Sequence, residues 1–175
     1  MTVSSSRSVA TAGLLVGIGR GGFVDGILLH QILQWHNMLS SVMPPVDLVT
    51  VKANMVFDGL FHVGTWIATA LGVALLWRAG LHGAPWSTRT FVGSTVGGWG
   101  TFNLVEGLID HQVLGLHHVH PGRNQLAWDL GFLASGVLLL AAGWVISRRA
   151  SDATVERSTP PTRAPSAAAH VPGLR

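Results

Sequence analysis

Two short stretches place acids, imidazoles and amides at matching intervals inside otherwise apolar sequence. Residues 24–36 read VDGILLHQILQWH and residues 105–117 read VEGLIDHQVLGLH. Asp25 aligns with Glu106, His30 with His111, Gln31 with Gln112 and His36 with His117, all at an offset of 81. The shared pattern is V-[DE]-G-[IL]-[LI]-x-H-Q-[IV]-L-x-x-H, and rare polar residues coinciding at identical spacing mark an internal repeat. A fainter echo relates Lys52, Phe57 and Asp58 to Arg123, Trp128 and Asp129 at an offset of 71. In that echo His62 aligns with Leu133, so this imidazole has no counterpart.

An ionised Asp at a bilayer centre costs about 2.5–3.5 kcal/mol on insertion scales. Buried groups of this kind must pair, protonate or bind a cation. Asp25, His30, Asp58, His62, Glu106, His111 and Asp129 are therefore candidate intramembrane ligands. His36, His117, His118 and His120 form a second group, expected at the outer surface. Imidazole suits zinc, copper, iron and nickel, while carboxylates add hard oxygen. Met38, Met43 and Met55 lie near the outer histidines and tilt the mixture towards copper. Zinc fits a His-carboxylate set equally well. The Glu-x-x-His spacing of di-iron bundles is absent. The pairs His30/His111 and His36/His117 also leave haem ligation open, although no Cys-x-x-Cys-His is present. The expectation is a transition metal, whether copper, zinc or iron. Its rivals are a hydrogen-bonded structural core and a proton or ion path.

The elements that position these groups follow from composition. Of the 175 residues, 48% are hydrophobic and only 11% charged, against about 25% charged in ordinary soluble domains. Stretches 60–76 and 130–146 carry no Asp, Glu, Lys or Arg. Apolar runs of about 17–25 residues can cross a bilayer as helices. The expected fold is all-α: an integral membrane four-helix bundle built from two parallel two-helix repeats, related by an axis along the membrane normal. Spans are placed at about 11–36, 53–77, 90–117 and 126–147, after a short N-terminus at 1–10. Pro44 and Pro45 break the first connection, Gly80, Gly83 and Pro85 the second, and Pro121-Gly122 the third. Residues 148–175, rich in Pro, Ser, Thr, Ala and Arg, are expected to be a disordered tail. Glycines at 13, 17 and 21, and at 93 and 97, form ridges that let helices approach closely.

Facing poses a difficulty. On a straight α-helix at about 100° per residue, Asp25 and His30 point about 140° apart. They address one site only if they serve different neighbours or the helix is locally distorted.

Charge fixes orientation. Arg7, Arg78, Arg89, Arg148 and Arg149 flank one side of the spans, and Lys52 and Arg123 are the only basic residues in the loops on the other. The positive-inside rule then places both termini and the middle loop in the cytoplasm, in an inner membrane. Arg20, inside the first span, must snorkel or pair. The net charge of +3 sits at segment ends, so no nucleic-acid partner is expected. The bilayer is the expected partner, with a homo-oligomer or a respiratory or metal-handling membrane protein as further candidates. There is no cysteine, and no short apolar region with a cleavage site marks a removable signal.

The run GGFVDGILLHQILQWHNMLS, with the later EGLIDHQVLGLHHVH, resembles a bacterial family of predicted membrane proteins, domain of unknown function 2243. The resemblance covers about residues 11–147 and implies a four-helix membrane architecture without an assigned activity. An association of some members with copper-handling assembly factors of terminal oxidases adds to the copper reading. Arg20 departs from the family's Gly-rich run. A metal-binding role in metal handling or respiratory-enzyme assembly is the leading functional expectation. A membrane oxidoreductase using haem or a two-metal centre, or a structural bundle, are the alternatives.

Overall fold

The computed structural model describes residues 3–84 and 86–158, with side chains at 7–84 and 86–148. Pro85 and residues 159–175 of the expected tail lie outside the described residues. All regular structure among the described residues is helical. Helix α1 spans Val3–Val24 and runs directly into a π-helical segment, Asp25–Ile32. Helix α2 spans Leu48–Leu81. Helix α3 spans Thr88–Glu106 and runs into a second π segment, Gly107–Val113. Helix α4 spans Gln125–Ser158, so the first part of the expected tail continues the last helix.

Local chemistry sets these boundaries. Asp47 caps α2: its carboxylate accepts from the Val49 and Thr50 amides at 2.9 and 2.8 Å, and the Thr50 hydroxyl closes a capping box. The Ser87 hydroxyl caps α3 by accepting from the Thr90 amide, satisfying a donor that the first turn leaves orphaned. The two π segments end alike. A left-handed residue follows each, Gln34 at φ 50° and Gly115 at φ 59°, and these two positions are related by the 81-residue offset. Spans one and three were expected to continue as helix to 36 and 117. They stop at Ile32 and Val113 instead, so His36 and His117 sit on loops.

Three helices are long and apolar enough to cross a membrane: Arg7–Ile32, Leu48–Leu81 and Gln125–Arg148. The α3 segment is less apolar because glycine, serine and threonine replace large aliphatics along it. Its glycines serve packing. Helix α1 packs against α2 and α3, and α3 against α4, whereas α2 approaches neither α3 nor α4 closely among the described residues. The spatial order is thus a row, α2–α1–α3–α4, where a closed four-cornered bundle was expected. At the central crossing, a Cβ on Gly17 would overlap the Thr95 carbonyl and lie 2.9 Å from the Gly98 Cα; a Cβ on Gly98 would overlap the Leu14 carbonyl.

Burial is inverted relative to a soluble protein. The buried apolar side chains among the described residues are Val9, Ala12, Ala79 and Val119. Large apolar groups such as Trp66, Trp77, Leu138 and Trp144 are exposed. The buried set is polar: Asp25, His30, His36, Asn54, Asp58, Thr65, Asn103, Glu106, His111, His117 and Asp129. Helices apolar on their outer surface need lipid around them. Arg20 is exposed on α1, where its long stem can snorkel.

Candidate metal centre

The π segments resolve the facing difficulty. A π turn closes i→i+5 hydrogen bonds, which brings residues five apart onto one face. The Leu33 amide bonds the Leu28 carbonyl at 2.8 Å, and the Leu114 amide bonds the Ile109 carbonyl at 2.8 Å. Asp25 and His30, five apart, consequently meet, with His30 Nε2 3.0 Å from Asp25 Oδ2. Glu106 and His111 take the equivalent places at the end of α3.

The two loops beyond the π segments then fold back and exchange bonds. His36 Nδ1 donates to the Val119 carbonyl at 2.8 Å, and His117 Nδ1 donates to the Met38 carbonyl at 3.2 Å. The Met38 amide donates to Asp58 Oδ1 at 2.7 Å, and the Val119 amide to Asp129 Oδ1 at 3.0 Å. Asp58 therefore holds, through the backbone of one residue, an imidazole of the other repeat, and Asp129 does the same in reverse. Further donors complete each carboxylate. Asn37 and Gln31 donate to Asp58 Oδ2 at 2.8 and 3.4 Å. His118 and Gln112 donate to Asp129 Oδ2 at 2.7 and 3.2 Å.

This folding-back overturns one expectation. His36 and His117 were expected at the outer surface, yet they are 3% and 0% exposed. Their rings stack at 4.7 Å with 8° between planes. His30 lies 4.5 Å from His36 and His111 lies 4.8 Å from His117, centroid to centroid. Residues expected in two separate sets, Asp25, His30, Glu106 and His111 within the membrane and His36 and His117 at its surface, form one cluster.

Within it, each imidazole turns Nδ1 outward to a carbonyl or carboxylate. His30 Nδ1 donates to Asp58 Oδ1 at 3.1 Å, and His111 Nδ1 lies 3.5 Å from Asp129 Oδ1. Each turns Nε2 inward. The Nε2 atoms of His36, His111 and His117, Asp25 Oδ1 and both oxygens of Glu106 are buried without a hydrogen-bond partner, while His30 Nε2 and Asp25 Oδ2 face each other at 3.0 Å. Three overlapping groups bring ligand atoms within 4.8 Å of one another: His30–His36–His117, Glu106–His111–His117 and Asp25–His30–Glu106. His36 Nε2 is 4.0 Å from Asp25 Oδ1, and His117 Nε2 is 3.6 Å from Glu106 Oε1. Burial pushes the His36 imidazole down to about 4, against the pull of Asp25. Burial, with the neighbouring imidazoles of His36, His111 and His30, pushes His117 down to about 3. Both rings are neutral at ordinary pH, the form that ligates a metal.

The other candidates stand outside these groups. Asp58 and Asp129 support imidazoles. His118 serves Asp129, and His120 packs its ring against Trp35 and Trp128 at 5.0 and 5.8 Å. His62 is half-buried, and its Nδ1 donates to the Asp58 carbonyl of its own helix at 2.7 Å. The methionines do not join the cluster by the contacts seen: Met55 and Met43 are exposed, and Met38 acts through its backbone. Sequence reasoning missed Asn54. It accepts from the Leu39 amide at 3.0 Å and donates to the Met43 carbonyl at 2.8 Å, tying the first loop to α2. Asn54 and the buried Asn103 are isolated amides in apolar sequence, the one signal that could have found them.

A family described as "Predicted membrane protein (DUF2243)" matches residues 12–150. No curated protein and no solved structure shows significant similarity to the chain.

Proposed function

This chain belongs to that family of predicted membrane proteins, and from this premise we propose that it binds a transition metal between its helices, in metal handling or respiratory-enzyme assembly. One observation carries the reading: four imidazole nitrogens and four carboxylate oxygens converge, buried, on one place, and all of them except the facing pair His30 Nε2 and Asp25 Oδ2 lack a hydrogen-bond partner. A purely structural network would satisfy its own atoms, because an unpaired buried polar group costs about 1–3 kcal/mol. The tethered Nδ1 atoms of His30, His36 and His117 have the outer-shell arrangement that fixes the tautomer of metal-bound histidine. Nitrogen and carboxylate donors without thioether favour zinc, iron or manganese over copper(I). Four imidazoles packed at 4.5–5.7 Å centroid separations leave no slot for a porphyrin, which weighs against haem.

The contact pairs related by offsets of 81 and 71 support two parallel two-helix repeats. The arginines at the ends remote from the cluster support an inner-membrane orientation with cytoplasmic termini. The cluster then lies at the outer ends of the helices, suited to exchange with a respiratory or metal-handling partner on that side.

The test is metal content by mass spectrometry of protein purified in detergent without chelator. His30→Ala and His111→Ala should each lose most of the metal, with the double variant little worse, because the two act as one site. His62→Ala and His82→Ala should retain it. A folded His30→Ala protein with full metal content would sink the proposal.

A further inference from the structure

Building on the metal reading above, we infer that the centre is dinuclear: two divalent cations side by side, with Glu106 shared between them and Asp25 in the equivalent place on the other repeat.

Geometry comes first. Metal–nitrogen and metal–oxygen bonds of about 2.0–2.2 Å put any two donors on one ion no more than about 4.4 Å apart. Among the described residues the six inward-facing side chains form groups of three, and no group of four or more lies within 4.8 Å. His111 shares no group with Asp25, His30 or His36. The groups Asp25–His30–Glu106 and Glu106–His111–His117 meet only at Glu106. A carboxylate has two oxygens and can serve two ions, and both Glu106 oxygens are unpartnered. Asp25 is forked in the same way, with Oδ2 3.0 Å from His30 Nε2 and Oδ1 4.0 Å from His36 Nε2. The third group, His30–His36–His117, overlaps both others and puts His36 and His117 between the two positions; following the repeat, one ion draws on His30 and His36, the other on His111 and His117. Two-metal sites hold their ions about 3.5–4 Å apart, a separation that a bridging carboxylate spans.

Charge points the same way. Four carboxylates are buried around the cluster: Asp25, Asp58, Glu106 and Asp129. Their ion-pairing partners among the described residues are all histidines, with no Lys or Arg among them. Bound divalent cations would compensate these carboxylates in a low-dielectric interior, where an unpaired charge is strongly disfavoured. Two imidazoles and the shared carboxylates leave each ion an open position for a small oxygen donor such as water.

The experiment uses the full chain in detergent, stripped with chelator and dialysed against manganese(II). It reads ions per chain by mass spectrometry and spin coupling by electron paramagnetic resonance. Two ions per chain with an exchange-coupled signal, falling to one or fewer in Glu106→Gln, is the expected result. One ion per chain at saturation overturns the dinuclear assignment and leaves the metal reading standing. Two ions without coupling, or with occupancy unchanged in Glu106→Gln, also overturn it. No bound manganese, repeated with zinc(II) and iron(II), overturns both. Circular dichroism of Glu106→Gln, whose side chain is nearly isosteric, separates loss of the bridge from loss of the fold.

Discussion

At the scale of single residues, chemistry and burial disagree, and the disagreement is informative. His36 and His117 are ordinary imidazoles driven far below their usual range of about 6.5 by being buried. A group whose pKa is lower in the folded than in the unfolded state takes up protons first in the unfolded chain, so acid favours unfolding. Metal-free protein should therefore lose thermal stability as the pH falls from about 6.5 towards about 4, from these two rings alone. In His36→Gln the same acid-dependent loss should be smaller. A melting temperature that is flat across that range would contradict the burial of these rings. The residue types of the site were legible in the sequence, because rare polar residues repeated at one spacing. The inward position of His36 and His117 was not. It depends on reciprocal bonds to the Val119 and Met38 carbonyls, about 80 residues away along the chain, and backbone carbonyls carry no sequence signature.

At the scale of elements, the helix positions were legible from apolar runs and breakers, and the helix type was not. An extra residue in a turn changes which side chains share a face, yet no residue pattern distinguishes VDGILLHQ as π rather than α. The puzzle of Asp25 and His30 facing apart was itself the trace of that distortion. The glycine ridges read correctly as packing surfaces, and their contacts now separate the glycines by role. Gly17→Ala should destabilise the protein by about 1–3 kcal/mol, the usual cost of overpacking, because the new Cβ meets the Thr95 carbonyl and the Gly98 backbone, which cannot rotate away. Gly59→Ala, on α2 with nothing within 4 Å of the added Cβ, should be neutral or stabilising by about 0.5–1 kcal/mol, the helix-propensity gain of alanine. Thermal unfolding in detergent compares them. Equal stability of the two variants would mean that α1 and α3 do not cross at Gly17 and Gly98.

At the scale of the whole molecule, the row α2–α1–α3–α4 puts the two π segments beside each other at one end of the central pair. Arg7, Arg78, Arg89 and Arg148 gather at the other end, and Arg123 lies in the loop on the cluster side. The sequence conveyed the repeat and the charge asymmetry but not the row, because apolar faces that meet lipid and apolar faces that meet a helix look alike in composition. Row and asymmetry together make the molecule polar along its axis: basic at Arg7, Arg78, Arg89 and Arg148, and acidic and imidazole-rich around Asp25, Glu106 and their neighbours. The orientation proposed from the positive-inside rule would put the basic end in the cytoplasm and turn the loops 33–47 and 114–124, which close over the cluster, outward. A cysteine-free chain makes this directly measurable. Ser41 and His82 are exposed on opposite ends, and neither contributes a side chain to the cluster. In intact cells, an impermeant thiol reagent should label Ser41→Cys and leave His82→Cys unlabelled until the membrane is opened. Labelling of His82→Cys in intact cells, with Ser41→Cys protected, would invert the molecule and place the histidine–carboxylate cluster on the cytoplasmic side, where the proposed site would draw on a different metal pool.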